Sequence, residues 1–235
     1  MDLLARLLRG KPETEAQRQA RRDWRSATAP EQTAPLETLR WVAVDTESSG
    51  LDPYRDRLIS LGACAGRGAA LNTHDSFEGL LRQEQASPRA NVLVHGIGHA
   101  AQAAGEPPEQ ALAAYLRYAR ADVIVGYHAL FDRTLLARAV REHLGLTYRP
   151  VALDVAVLLP ALEAVPGAVG WELDRWLERF GVRAYARHDA LADAFATAQL
   201  FLVVLARARE ARLDRLSDLL KVQKTALELQ TLQRV

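Results

Sequence analysis

The stretch Trp-Val-Ala-Val-Asp-Thr-Glu-Ser-Ser-Gly-Leu, residues 41–51, joins a short apolar run directly to two acidic residues. Residues 41–44 are apolar and contain valine, which predicts a buried strand. Side chains two apart in a strand point to the same face, so Asp45 and Glu47 are expected to project together from the strand end. Two like charges so close need a cation, and carboxylate oxygens suit a hard divalent ion such as Mg²⁺ or Mn²⁺. Taken alone, the pattern is also that of a solvated strand end.

A second apolar run, residues 123–125, predicts another short buried strand that Gly126 ends. The helical pattern that follows places Asp132 in the first turn of a helix, where the helix dipole favours an anion. An acid at a helix N-terminus is common without any metal, so Asp132 gains meaning only together with the first pair.

A third segment, residues 185–194, places His188 five residues before Asp193 at the start of a long apolar pattern. An offset of five is about one and a half helical turns, so both side chains are expected to project toward the same mouth. The competing acid, Asp189, is better suited to the helix dipole in the first turn. His188 on its own would be a helix-capping residue.

These segments, in this order, resemble the DEDDh 3′–5′ exonucleases, the family of the proofreading epsilon subunit of bacterial DNA polymerase III. The matching stretches are Asp-Thr-Glu-Ser-Ser-Gly-Leu (45–51), Val-Gly-Tyr-His-Ala-Leu-Phe-Asp (125–132) and His-Asp-Ala-Leu-Ala-Asp-Ala (188–194). A short Val-His-Gly-Ile element (94–97) matches as well. The resemblance covers roughly residues 39–206.

The resemblance implies a catalytic set of five residues. Asp45, Glu47, Asp132 and Asp193 would bind two divalent cations, Mg²⁺ or Mn²⁺, and His188 would be the general base for the attacking water. These residue types suit the chemistry, because two ions neutralise charge on the attacking and leaving oxygens of a phosphodiester. An imidazole can accept a proton at neutral pH.

The resemblance also implies a substrate-binding set around the terminal nucleotide: Ser48, Ser49, Gly50, Leu51, His95 and Phe131. The Ser48-Ser49-Gly50 turn is expected to leave hydroxyl and N–H groups free for a substrate. Leu51 would act as a wedge and Phe131 as a stacking wall, although core packing is an equal reading of Phe131. The family's His-Asn pair is replaced here by Tyr127-His128, and His128 is left out of the catalytic set.

Composition restricts the class of protein. The 235 residues are 49% hydrophobic and 25% charged, as in a soluble domain with a sizeable core. The single cysteine, Cys64, excludes a disulfide framework and favours a reducing, cytoplasmic compartment. We expect no membrane span and no signal peptide. The formal net charge of +1 argues against tight non-specific binding to long duplexes.

The element pattern predicts an α/β, ribonuclease-H-like fold, a mixed five-stranded sheet flanked by helices. Strands are expected at 41–44, 57–65, 69–73, 123–125 and 150–153. Helices are expected after Pro107-Pro108, at 130–144, 155–162 and 172–180, and from near His188.

Three segments are expected along the chain: a basic N-terminal extension and linker (1–38), an exonuclease domain (39–206) and a C-terminal helical extension (207–235). The first begins with an amphipathic stretch at 3–8 that could contact nucleic acid or a protein, or remain a frayed helix. The last could pack back on the domain or dock a partner.

The expected function is hydrolysis of phosphodiester bonds at single-stranded or frayed 3′ ends of DNA, releasing nucleoside 5′-monophosphates in proofreading or repair. One alternative is an RNA-trimming or oligoribonuclease-like exonuclease. A second is a non-catalytic interaction subunit of a polymerase complex, and a third is a nuclease active mainly beside a DNA polymerase partner. Four repelling carboxylates have no physical reason to stay together in a retired site, which argues against the non-catalytic reading.

Overall fold

The computed structural model describes residues 13–165, 168 and 170–232. Its strands are β1 (Arg40–Ser48), β2 (Leu58–Arg67), β3 (Ala70–Leu80), β4 (Val123–Gly126) and β5 (Ala152–Asp154). They form one sheet in the order β3-β2-β1-β4-β5, in which β1 is antiparallel to β2 and parallel to β4. The predicted mixed five-stranded sheet is confirmed.

Helices cover both faces of this sheet. Within the described ranges they are α1 (Glu15–Ser26), α2 (Arg89–His95), α3 (His99–Ala104), α4 (Pro108–Ala119), α5 (Ala129–Leu144), α6 (Val155–Glu163), α7 (Leu173–Phe180), α8 (Ala190–Glu210) and α9 (Leu216–Leu232). The short helices α2 and α3 were not predicted, because neither reaches the length at which a helical period stands out.

Alternation along β1 divides the core in two. Trp41 and Ala43 face one side, where they join a cluster with Phe201 of α8. Val42 and Val44 face the other side, in a cluster with residues of α4 and α5. Because the side-chain period of a strand is two, the acidic positions of β1 continue the face that α8 covers.

Two strands, β1 and β3, run four or more residues beyond their predicted ends. β1 continues to Ser48, so Asp45 and Glu47 lie within the paired strand and not beyond its end. β3 continues to Leu80, although residues 74–76 are polar. As an edge strand, β3 exposes much of its surface while its backbone pairs with β2, so polar side chains do not end it.

The N-terminal helix α1 packs on the domain. Ala20 is fully buried, and the Gln17 side-chain amide donates a hydrogen bond to the His143 carbonyl at 2.7 Å. The Trp24 and Tyr148 rings pack with centroids 5.4 Å apart. This part of the N-terminal segment is therefore not a frayed helix, whereas the predicted amphipathic stretch 3–8 lies outside the described residues.

The C-terminal segment also packs back on the domain. Residue 206, the expected boundary, falls inside α8, and α9 contacts α6 and β5. The Gln223 side chain accepts a hydrogen bond from the Asp154 N–H at 2.7 Å and donates one to the Ala152 carbonyl at 3.1 Å. These bonds cover backbone groups of the edge strand β5 that would otherwise be open.

Helix α8 is long and apolar enough to cross a membrane by length and composition alone. Its apolar residues Leu200, Phe201 and Val204 are fully buried, and it lies against β1 and β2. In this fold α8 is therefore a core helix.

Candidate active site

Three of the predicted carboxylates converge. Asp45 and Glu47 on β1 and Asp193 on α8 each place one carboxylate oxygen within 4.8 Å of the others. Glu47 is 9% exposed and Asp193 is 4% exposed. All three ligand atoms are oxygens, which is the donor set that Mg²⁺ and Mn²⁺ prefer. The residues present therefore fit a hard divalent cation.

Gly62 on β2 allows this convergence. It pairs with Asp45 across the strands, and a Cβ at this position would lie 2.2 Å from the backbone of Ala190 and Leu191. Only a residue without a side chain lets the first turn of α8 approach the sheet so closely. Asp193, one turn further along α8, thereby reaches the acids of β1.

We expect Gly62→Ala to separate Asp193 from the β1 acids, because the added methyl group must push α8 away from the sheet. Metal-dependent activity should fall by about 10²-fold, as a displacement of roughly 1 Å can cause. Overpacking should also lower the free energy of unfolding by about 1–3 kcal/mol. Gly98→Ala is the control, since no atom lies within 4 Å of a Cβ there. Wild-type rates and thermal stability in Gly62→Ala would contradict this account of the packing.

The fourth predicted ligand, Asp132, has a different setting. It lies in the first turn of α5, as predicted, but outside the compact trio, and its carboxylate accepts a hydrogen bond from the Thr46 hydroxyl at 2.6 Å. The Thr46 side chain points away from its neighbours Asp45 and Glu47, because adjacent strand residues face opposite sides. Asp132 remains close enough for its charge to raise the pKa of Asp45.

Burial and nearby negative charge raise the pKa values of Asp45, Glu47 and Asp132. Burial, with Asp193 and Asp132 nearby, raises the pKa of Glu47 to about 8. Burial and the same neighbours hold the pKa of Asp45 well above its usual range. Burial raises the pKa of Asp132 to about 7, although the Thr46 hydrogen bond opposes this. The cluster therefore favours protons or cations over bare negative charge.

Arg187 supplies a cation from the chain itself. Its guanidinium group pairs with the Asp193 carboxylate, and its Nε donates to Asp174 at 2.5 Å. The side chain is about one third exposed, at the rim of the cluster. Arg187 could not be identified from the sequence, because a loop arginine carries no spacing signal that relates it to the acids it pairs with.

His188 lies just outside α8, which begins at Ala190. Its backbone is left-handed, with φ of 61°, and its N–H donates to the Asp193 carboxylate at 2.9 Å. The sequence-based expectation assumed that His188 and Asp193 lie on one helix, five residues apart. This assumption is wrong, because His188 precedes the helix. Asp189 caps α8 by accepting from the Ala192 N–H at 2.9 Å, close to its expected role.

The counter-charge from Arg187 leads to a pH-dependent prediction. Acids whose pKa is raised on folding keep protons that the unfolded chain releases, so the free energy of unfolding falls as pH rises from about 4.5 to about 8. Arg187→Gln should steepen this loss in the metal-free protein, because one compensating charge is gone. We expect its melting temperature in EDTA to lie further below wild type at pH 8 than at pH 5, and Mg²⁺ to narrow the gap.

The control is Arg183→Gln, which removes an exposed arginine with no ion pair within the described ranges. If the melting temperatures of Arg187→Gln and wild type differ by the same amount at every pH, with or without Mg²⁺, then Arg187 does not compensate the negative charge of the carboxylates.

The serine turn differs from the expectation. The Ser49 hydroxyl donates to Asp56 at 3.1 Å and accepts from the Arg57 N–H at 2.9 Å. The Ser48 hydroxyl donates to the Gly50 carbonyl at 2.5 Å. The predicted free hydroxyl groups are therefore wrong for this structure, because both serines fold the turn back on itself.

This turn presents an apolar tip. Leu51 is 90% exposed, as a wedge would require. Phe131 is half-buried: it packs against the core and also lines a cavity beside Leu130. Core packing of Phe131 is therefore observed, and its role as a stacking wall stays a prediction.

His95 is buried at the C-terminal end of α2, where its Nδ1 accepts a hydrogen bond from the Ile97 N–H at 3.0 Å. Its expected contact with a substrate stays a prediction. His95 does not join the carboxylate trio. Gly96 follows with φ of 71°, so the matched element is a helix-ending turn whose histidine holds the turn closed.

Comparison with known proteins gives a family match. The exonuclease family model RNase T matches residues 42–201. The chain is 33% identical over 175 residues to a DNA polymerase III subunit epsilon-like protein of Rhodobacter capsulatus, covering 73% of this chain and 24% of that protein. It is 26% identical over 166 residues to a DNA polymerase III subunit epsilon of Aquifex aeolicus, covering 70% and 80%.

Other relatives are much longer. A PolC-type DNA polymerase III of Thermotoga maritima is 26% identical over 185 residues, and the chain spans only 13% of its length. Among solved structures, Escherichia coli exonuclease I in complex with a dT13 oligonucleotide gives a TM-score of 0.61 at 18% identity, covering 74% of this chain and 42% of that one. A moderately thermophilic exonuclease I from Methylocaldum szegediense also gives 0.61, at 19% identity, covering 74% and 42%. These structural likenesses establish the fold.

Proposed function

Because the chain belongs to the exonuclease family that it matches over residues 42–201, we propose that it is a metal-dependent 3′–5′ exonuclease acting on single-stranded DNA. The observation that carries this proposal is the carboxylate trio of Asp45, Glu47 and Asp193, whose oxygens lie within 4.8 Å of one another. The family match indicates the class of reaction, and the trio provides carboxylate ligands for the metal ions that this reaction requires.

Divalent metal ions are implied by the family, and we propose two ions, Mg²⁺ or Mn²⁺. The trio would hold them together with Asp132, which stands across β1 beside Thr46. When bound, such ions neutralise charge on the phosphodiester and lower the pKa of a bound water. Arg187 would leave Asp193 as the ions enter, and its freed guanidinium group could then pair with a phosphate.

His188 is proposed as the general base. Its side chain is exposed at the edge of the site, and its backbone N–H is tied to the carboxylate of Asp193. This tie fixes the turn that carries the imidazole, which would accept a proton from the attacking water. Leu51 and Phe131 would hold the terminal base by apolar contact and stacking.

Substrate and partner follow from what the relatives are named. The solved exonuclease I structure contains a single-stranded oligonucleotide, and two relatives are named as epsilon or epsilon-like subunits of DNA polymerase III. We therefore propose single-stranded or frayed 3′ DNA ends as the substrate, and a DNA polymerase as a candidate partner. The one cysteine, Cys64, is buried and free, which suits the cytoplasm.

The test is digestion of matched single-stranded DNA and RNA oligonucleotides, labelled at the 5′ end, with Mg²⁺, Mn²⁺ or EDTA. We expect a ladder that shortens from the 3′ end, release of nucleoside 5′-monophosphates, no reaction in EDTA, and faster digestion of DNA. Faster digestion of RNA would favour the RNA-trimming alternative. No release with any divalent ion would contradict the proposal.

A further inference from the structure

A basic groove runs along the outer face of α5, away from the carboxylates. It is a cavity of about 540 Å³ lined by four arginines, Arg133, Arg138, Arg141 and Arg149, and no acidic side chain lines it. We call it the arginine groove. The formal net charge of the chain is only +1, so this concentration of positive charge is local.

Three of its guanidinium groups are available for a ligand. Arg133, Arg141 and Arg149 are exposed, and within the described parts of the chain they form neither an ion pair nor a side-chain hydrogen bond. Arg138 differs, because it pairs with Glu142 at 3.7 Å and donates to the Pro53 carbonyl at 3.1 Å. Arg138 thus fastens the turn after β1 to α5, while the other three arginines face solvent.

The spacing suits a chain of phosphates. Arg133 and Arg141 are eight residues apart on one helix face, about 12 Å along the axis. A stacked nucleic acid strand repeats its phosphate about every 3.4 Å along its axis, so this distance corresponds to about three to four nucleotides. Arginine binds phosphate oxygens through charge-assisted hydrogen bonds, which are stronger than neutral ones.

The arginine groove continues into a second cavity at the N-terminal end of α5, the end of the helix that carries Asp132. This second cavity, of about 760 Å³, shares Tyr54, Leu130 and Arg133 with it and continues to Phe131 at the start of α5. Phe131 directly precedes Asp132. Tyr54 is 71% exposed and Leu130 is 60% exposed, so an aromatic ring and an apolar side chain stand where the two cavities meet.

We propose that the arginine groove binds the phosphodiester backbone of a single strand, several nucleotides to the 5′ side of the bond that is cleaved. This inference rests on the proposed function, because it is the carboxylate site that fixes which end of the strand enters. Arg133, Arg141 and Arg149 bind phosphates, and Tyr54 and Leu130 offer faces against which bases stack. The groove reads the backbone common to DNA and RNA, not the base sequence.

The test compares two triple variants with the same change in net charge. One replaces Arg133, Arg141 and Arg149 by glutamine. The control replaces Arg120, Arg209 and Arg212, which are exposed and lie outside both cavities. Affinity for fluorescent oligo-dT and oligo-rU is measured by anisotropy in EDTA across a salt series. Hydrolysis of a dinucleotide, too short to reach the groove, is measured with Mn²⁺.

We expect the groove variant to bind either oligonucleotide about 10²-fold more weakly at 0.1 M salt, because three phosphate contacts are lost. Its slope of log affinity against log salt should be shallower by about 2, since each contact to a single strand contributes about 0.7. Dinucleotide hydrolysis should stay at the wild-type rate. Replacing the same arginines by lysine should restore most of the slope, because lysine keeps the charge.

Wild-type affinity and salt slope in the groove variant would overturn the inference while leaving the proposed function intact. A loss confined to DNA or to RNA would also overturn it, because backbone binding must affect both. If the wild-type protein hydrolyses neither the dinucleotide nor a longer strand, the proposed function is refuted instead. The anisotropy series in EDTA does not depend on catalysis, so it still tests whether the arginine groove binds a single strand.

Discussion

Asp45→Asn is expected to abolish metal-dependent hydrolysis while the protein stays folded. Asparagine keeps the shape of the side chain but removes a charged ligand at the centre of the trio with Glu47 and Asp193. The rate should fall by more than the roughly 10²–10⁴-fold that a general base typically contributes, because the variant loses a metal site. The melting temperature in EDTA should not fall, since one of several repelling buried charges is gone. In wild type, Mg²⁺ is expected to raise the melting temperature, and in Asp45→Asn this increase should disappear.

The matched control is Asp189→Asn. Asp189 is close enough for its charge to affect Glu47, but it caps α8 and is not part of the trio. Asparagine caps a helix as well as aspartate does, so this variant carries the same change in charge without the loss of a ligand. We expect near-wild-type rates. Full activity in Asp45→Asn, or equal losses in the two variants, would remove Asp45 from the metal site.

His188→Asn is expected to lower kcat by about 10²–10⁴-fold with little change in KM, because a proton acceptor is lost and substrate contacts are kept. Asparagine suits the left-handed backbone at this position, where φ is 61°. The turn, and its hydrogen bond to Asp193, should therefore survive. Alanine tolerates this conformation less well, so His188→Ala would combine loss of the base with backbone strain.

Two further results separate a base from a merely structural residue. The affinity for Mn²⁺ and the melting temperature in EDTA should both be unchanged in His188→Asn. His74→Ala, which removes an exposed histidine from the edge strand β3, should leave the rate as in wild type. Unchanged kinetics in His188→Asn would reject the assignment of His188 as the base.

The sequence was sufficient where a local pattern carries the information. The alternation of β1 places Asp45 and Glu47 on one face, and strand geometry alone predicts this. The apolar runs before Gly126 and before Asp154 are short enough to be buried parallel strands. A mixed sheet flanked by helices then follows from the way such units pack, whereas the strand order is known only from the structure.

Contacts that depend on the folded backbone could not be predicted in this way. Gly62 is one of several glycines in apolar surroundings, and only the fold shows that Ala190 lies against it. Arg187 is one of many loop arginines, and its pairing with Asp193 depends on how the turn before α8 is bent. The Thr46 hydroxyl was overlooked, because the residue between two acids points to the opposite face and meets Asp132 there.

The second motif gives a physical reason for a departure from the family pattern. His128 replaces the family's asparagine and has a left-handed backbone, with φ of 61°, immediately before α5. Its N–H donates to the Asp154 carboxylate at 3.0 Å. Asparagine and histidine are both enriched in this conformation, so the left-handed backbone explains why either residue is suitable here. A direct part for the imidazole in catalysis is not required to explain it.

The most direct test of the account is a crystal structure of the protein grown with Mn²⁺, with the ions located by anomalous scattering. We predict anomalous density at coordination distance from oxygens of Asp45, Glu47 and Asp193, with Asp132 beside it and the Arg187 guanidinium group displaced from Asp193. A fully active preparation whose crystals show Arg187 still paired with Asp193, and Mn²⁺ bound elsewhere, would contradict the claim that these carboxylates form the catalytic metal site.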